Sequence, residues 1–227
     1  MELGFENLID YLFRWIHFLA GVAWIGLLYY FNFVQTEYFK ETDAAAKSSA
    51  ISKLVPRALW WFRWGAMLTF LSGLALAGIL GSAINYYLVV GMLLGTLMFL
   101  NVWLIIWPNQ QTVIASNNQV IGGGEAMPEA AGSLGKAGLA SRTNTLFSIP
   151  MLFFMGASIH LTGVGRALPI SSEGGTGLLA IILTLAIITA LELNAIKGKT
   201  GPMTSVVGVI HCGIGLAAAL LIMIEFL

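Results

Sequence analysis

The sequence predicts an all-α, polytopic membrane helix bundle of about six transmembrane helices, with both termini outside the cytoplasm. Three observations carry that expectation. Of the 227 residues, 58% are hydrophobic and only 10% charged, where a soluble domain carries about 25% charged residues. Several apolar runs reach the roughly 20 residues a helix needs to cross about 30 Å of hydrocarbon, which favours helices over a barrel. The cations then fall mainly in alternate connections. Mean hydropathy is +0.85, and the whole chain, 1–227, reads as a single membrane domain with no separate soluble unit.

The first segment runs over about 11–34. Its residues Trp15 to Val34 carry no formal charge, and the acidic start MELGFENLIDY lacks the positive region of a signal peptide, so this helix reads as retained. The second covers about 58–80 (ALWWFRWGAMLTFLSGLALAGIL) and the third about 86–107 (YYLVVGMLLGTLMFLNVWLIIW). A shorter fourth spans about 145–163, with Pro150 near its start, followed by a fifth at about 177–196 and a sixth at about 203–226. Two connections are long. Residues 36–57 are rich in Ala and Lys and read as an interfacial helix up to Pro56. Residues 109–144 contain GGGEAMPEAAG and read as a flexible link with short helical pieces.

Charge sets the orientation. One side of the membrane collects Lys40, Lys47, Lys53, Arg57, Lys136, Arg142, Lys197 and Lys199, and the other only Arg14 and Arg166. That asymmetry places the richer side, with both long connections, in the cytoplasm. Net charge is zero, and no basic stretch suits nucleic acid. The lone Cys212 lies in an apolar run, which excludes a disulfide framework and metal-type cysteine spacing.

All three histidines fall in predicted spans, where an imidazole without a partner is costly. Counting the rise per residue from Arg14 and Asp10 puts His17 about 5–10 Å below the outer surface, and counting from Arg166 puts His160 about 9 Å below it. His211 lies nearer the midplane. Two imidazoles at one depth on different helices can hold one haem b iron between them. Trp24 lies seven residues from His17, near the same helix face. Arg14 and Arg166 are candidate partners for propionates. The alternative is that each histidine hydrogen-bonds a neighbouring helix and packs there.

A second cluster gathers at the cytoplasmic helix ends: Asn32 among phenylalanines, Trp60-Trp61-Phe62-Arg63-Trp64, Asn101 with Trp103, Trp107-Pro108-Asn109, and Arg142-Thr143-Asn144. Amides and an arginine among aromatic rings suit a flat, polar, anionic molecule, with Asn32, Arg63, Trp64, Asn109 and Asn144 as the candidate pocket; a quinone head group and a purine fit equally well. Ordinary interfacial Trp belts and helix-terminating Asn and Pro residues account for the same pattern. Glu192 reads as a snorkelling charge or a partner of Lys197.

The segments WIHFLAGVAWIGLLYYFNFVQ, ALWWFRWGAMLTFLSG, NVWLIIWPNQ and RTNTLFSIPMLFF resemble the membrane domain of PuuD-type urate hydroxylases, the urate oxidase N-terminal family. The resemblance covers most of the chain to about His160 and is weaker beyond. It implies a multi-pass protein of the bacterial inner membrane tied to urate oxidation, with electrons leaving through cytochrome c. A more distant similarity is to small haem-binding bundles of the HemJ and CopD type, where a first-helix histidine matters. Members of the urate hydroxylase kind carry a C-terminal cytochrome c domain, whereas this sequence runs to Leu227 without a Cys-x-x-Cys-His motif. The expectation is therefore a haem-b redox protein passing electrons from urate or a quinol to a separate cytochrome c. A non-catalytic accessory subunit packed against a larger respiratory complex is the alternative. A purine transporter fits less well, because embedded acid pairs and inverted repeats are lacking.

Overall fold

The computed structural model describes residues 4–161 and 177–227. Among these residues there is no β-strand, and the chain is built from helices alone. They are α1 (Phe5–Glu41), α2 (Ala44–Lys53), α3 (Val55–Leu80), α4 (Tyr86–Ile121), α5 (Ala130–His160), α6 (Leu178–Lys197) and α7 (Val206–Phe226). Two of them widen by one π-helical turn, α1 at Tyr30–Gln35 and α4 at Asn101–Ile106.

Local chemistry sets the ends. Side-chain oxygens of Asp43, Asn85 and Ser205 accept from the backbone N–H of Ala46, Leu88 and Gly208 at 2.8, 3.0 and 3.0 Å, capping α2, α4 and α7. Gly81, at φ +50°, stops α3, and Gly123, at φ +86°, lies in the glycine run that stops α4. L-residues rarely adopt that backbone.

Five helices, α1, α3, α4, α6 and α7, are long and apolar enough to cross a membrane. The remaining expected span, the fourth, falls in α5, whose 31 residues reach about 46 Å. Its polarity has a structural cause. Residues Arg142 to Ser148 are buried on every side of the helix, where α5 packs against α4, α7, α6 and α1. Other helices place apolar side chains outward, among them Phe18, Val22, Leu68, Leu71, Ile182, Leu185, Ile214 and Ile222. Outward leucines and isoleucines around an inner polar helix suit lipid as the surrounding solvent. The protein is a multi-pass membrane protein of all-α architecture.

The seam between α1 and α3 is close. A Cβ added at Gly65 would lie 3.1 Å from the Trp24 nitrogen and 3.3 Å from the Ala20 carbonyl oxygen, so the absent side chain is what lets two backbones meet.

The structure differs from the expected loops. Residues 109–121 continue α4, and α5 begins at Ala130, leaving only a short turn where a flexible link over 109–144 was expected. Polar helices protruding beyond the bilayer read as loops to hydropathy alone. With 37 and 36 residues, α1 and α4 each span roughly 55 Å. Within 36–57, α1 continues to Glu41 and α2 follows. This α2 docks on α4 through Ser48 and Asn117, whose side chains bond at 2.9 Å, with Asn117 Nδ2 donating to the Ser48 carbonyl at 3.0 Å.

Candidate functional site

One cluster lies toward the N-terminal end of α1. His17, half-buried on α1, places Nδ1 3.1 Å from Ser72 Oγ on α3. The Ser72 hydroxyl has one proton, and its closest acceptor is the Leu68 carbonyl at 2.6 Å. Its oxygen is therefore the acceptor toward the ring, and Nδ1–H donates. The lone pair of His17 is thereby left on Nε2. Gly73 leaves room for the ring, since a Cβ there would sit 3.1 Å from His17 Cε1. Gly73→Ala is expected to push the imidazole off Ser72 while leaving the fold intact, which histidine-resolved NMR of the wild type and variant would register as a shifted tautomer equilibrium.

Trp24 is buried in the same α1–α3 seam, with Nε1 lacking a hydrogen-bond partner. Arg14 is exposed, and its Nε donates to both Asp10 carboxylate oxygens at 2.9 and 3.0 Å. His160 ends α5 and is exposed, and His211 is exposed on α7. Among the described residues the hydrogen-bond partners of His17 are Ser72 and the Thr69 backbone, not another histidine. Arg166 lies outside the described residues. Sequence reasoning did not single out Ser72, because its partner is more than fifty positions away in sequence.

The opposite end holds the two π turns. Inserting a residue into a helix frees carbonyls from the regular ladder. Asn32 Nδ2 donates to Leu28 O at 2.9 Å and to Ser141 Oγ at 2.8 Å, and Thr36 Oγ1 donates to Phe31 O at 2.7 Å. In α4, Pro108 has no N–H to give, and Asn109 Nδ2 donates to Ile105 O at 2.8 Å. Asn144, fully buried, donates to Met98 O at 2.9 Å and accepts from Asn101 Nδ2 at 3.0 Å. The amide donors of Asn32 and Asn144 thus join helices, and that of Asn109 closes its own helix beside Pro108.

Asn101 Nδ2 also donates to Glu192 Oε2 at 3.1 Å, so Glu192 joins a buried network rather than pairing with Lys197. Asn101→Leu leaves that carboxylate without its donor and is expected to cost about 1–3 kcal/mol, read as a lower thermal midpoint in detergent. Combining it with Glu192→Gln is expected to be non-additive.

Arg63 stands with Cζ 3.7 Å over the Trp107 ring and 6.0 Å from that of Trp103. Trp64 is exposed and meets Trp103 edge-on at 5.6 Å. Four polar atoms at this end are buried without a hydrogen-bond partner: Gln35 Oε1, Arg63 Nε, Trp103 Nε1 and Arg142 Nη1. A separate cavity of about 490 Å³ opens between α5, α6 and α7, with Leu146, Leu191, Met203 and Leu216 as apolar walls and Lys199 at its edge. No group of three or more His, Cys, Asp or Glu side chains gathers among the described residues, so a chelated metal ion has no ligand set there.

Residues 80–167 match the family model described as urate oxidase N-terminal. The matched stretch includes α4 and α5, and with them Asn101, Trp103, Trp107, Arg142, Asn144 and His160. Comparison with curated proteins and with solved structures returned no match.

Proposed function

We propose, starting from a bundle whose central helices match the urate oxidase N-terminal family, that this protein is a redox module of the bacterial cytoplasmic membrane. In this reading it holds haem b through His17 and passes electrons from urate or a quinol toward an external cytochrome c. One observation carries the reading. His17 Nδ1–H is held by Ser72 at 3.1 Å, which leaves the Nε2 lone pair for a metal, the arrangement in which a second group fixes the tautomer and orientation of a ligating imidazole.

The residues fit the group in three respects. The ring is half-buried in an apolar seam, Gly73 clears space along one ring edge, and Arg14 at the same end binds Asp10 through Nε, with no other partner among the described residues. When bound, a haem supplies reversible one-electron chemistry. What the chain does is orient the ligand, keep water from it and offer a cation at the surface. His160 and His211 are the further histidines that would be available to ligate such a group. The apolar cavity beside Lys199 supports a quinol as the electron source.

The test is an absorption spectrum of the purified protein. A Soret band and a reduced-minus-oxidised α-band are the expected result. A colourless, folded protein would refute the reading, and co-purification of that protein with a larger complex would favour the accessory-subunit alternative.

A further inference from the structure

We propose that the cavity between α5, α6 and α7 binds an anionic phospholipid, with an acyl chain among its leucines and the headgroup on Lys199. The cavity, of about 490 Å³, has the size of a small-ligand site, about 300–1,000 Å³. Leu146 of α5, Leu191 of α6 and Leu216 of α7 wall it, and Cys212 of α7 lines it beside them. At its edge is the short turn over 198–205 that joins α6 to α7 and carries Lys199 and Thr200. Depth follows from length. The 20 residues of α6 span about 30 Å, the thickness of the hydrocarbon layer, so the turn stands at headgroup level. Cys212, six residues past the start of α7, lies about 9 Å deeper.

The polar groups of the turn decide the charge of the ligand. Asn194 Nδ2 donates to the Lys199 carbonyl at 3.0 Å, and Asn194 Oδ1 accepts from the Lys199 N–H at 3.2 Å. Thr204 Oγ1 donates to Gly201 O at 2.8 Å. Its one proton is thereby used, so Thr200 Oγ1 donates to Thr204 Oγ1 across 2.9 Å,. The amide and both hydroxyls are thus spent on the turn itself. The Lys199 ammonium stays without a counter-charge, since the ion pairs among the described residues are Arg14–Asp10 and Lys40–Glu37. Lys197, also exposed, stands two residues before it. No acid occurs between Glu192 and Glu225. Glu192 is turned to Asn101 at 3.1 Å, and Glu225 accepts from Tyr87 at the other end of α7.

Apolar walls beneath two lysines without acids take an amphiphile whose head is an anion. Basic pockets between membrane helices bind acidic lipid heads on the same terms. A zwitterionic lipid brings its own cation, and an uncharged quinol fills the walls but leaves the lysines unanswered. The inference goes beyond the redox reading and does not depend on haem. A quinol is the competing occupant, and the experiment separates the two.

The single cysteine of the chain serves as reporter. The full chain in neutral detergent is alkylated with N-ethylmaleimide and followed by intact mass, with added phosphatidylglycerol, phosphatidylcholine of the same chains, or a short-chain quinol. Phosphatidylglycerol is expected to protect Cys212 at about 5- to 30-fold lower concentration than phosphatidylcholine, the factor that one or two lysines at headgroup level supply. Lys199→Gln is expected to remove most of that preference. Lys136→Gln, outside the cavity, is expected to leave it unchanged. Thermal midpoints of the same samples give a second readout, because a ligand that binds only the folded protein raises the midpoint. They decide alone should Cys212 resist alkylation without lipid. Absent or equal effects of the two lipids, or equal losses in Lys199→Gln and Lys136→Gln, would overturn the proposal. Protection by the quinol but not by phosphatidylglycerol would overturn it too, and would assign the cavity to the electron donor.

Discussion

Replacing His17 with alanine is expected to abolish the Soret and α-band absorption of the purified protein while its thermal midpoint changes little. His17 is half-buried in the seam, so its removal creates no large void in the closely packed core. The effect on a bound iron is total if this ring is an axial ligand. Ser72→Ala provides the graded counterpart. It keeps the imidazole but removes the acceptor 3.1 Å from Nδ1, freeing the ring to rotate and to exchange tautomers. Loss of such an orienting partner typically costs 10–100-fold in metal affinity, so haem retention during dilution is expected to fall by about that factor. Ser72→Thr, which restores a hydroxyl, is expected to recover part of it. Parallel His160→Ala and His211→Ala samples test for a further ligand, since a change of spectrum in one of them is expected if that histidine would also hold the group. An unchanged spectrum in His17→Ala would remove the haem assignment from this residue.

Gly65→Val is expected to destabilise the bundle by about 1–3 kcal/mol, the usual cost of overpacking a close-packed seam. The new Cβ would lie 3.1 Å from the Trp24 nitrogen, 3.3 Å from Ala20 O and 3.4 Å from Trp24 Cα. All three are backbone atoms, so no side chain can rotate out of the way and α1 must move off α3. Because His17 and Ser72 face one another across the same pair of helices, the shift is expected to loosen haem as well. Gly78→Ala on the same helix is the matched control. It meets nothing within 4 Å and gains helix propensity, so it is expected to be neutral or slightly stabilising. Thermal denaturation of the three proteins in one detergent tests the contrast, and equal midpoints for Gly65→Val and the wild type would show the seam to be looser than described.

Much of the fold was legible because bilayer physics writes itself into composition. A run such as Trp15–Val34 has few structural options other than a spanning helix. The same logic failed for 109–144, where helices outside the hydrocarbon carry Asn, Gln and Ser and so look like loops to hydropathy. Asn117 and Ser48 show what stabilises them there, namely contacts with another helix rather than with lipid. At the site, types were legible before roles were. An Asn in a span signals something, but Asn32, Asn109 and Asn144 turn out to hold backbone carbonyls, with Ser141 and Asn101 as the side-chain partners, whereas Gln35 and Arg142 keep buried groups without a partner among the described residues. Nothing in one-dimensional spacing distinguishes those cases, because the π turns that free the carbonyls and the helices that supply partners are both remote in sequence.

By itself, then, the sequence determined that this chain is a helical membrane protein and which residues are costly to bury, since those properties follow from transfer free energy and a fixed rise per residue. The tertiary structure alone decided that Ser72 orients His17, that Glu192 answers to Asn101, and that Arg142 is enclosed by α5's neighbours with no acid at salt-bridge distance among the described residues. Pairing is a matter of azimuth and of neighbouring helices, and a hydrogen bond a few tenths of an ångström too long is no bond at all.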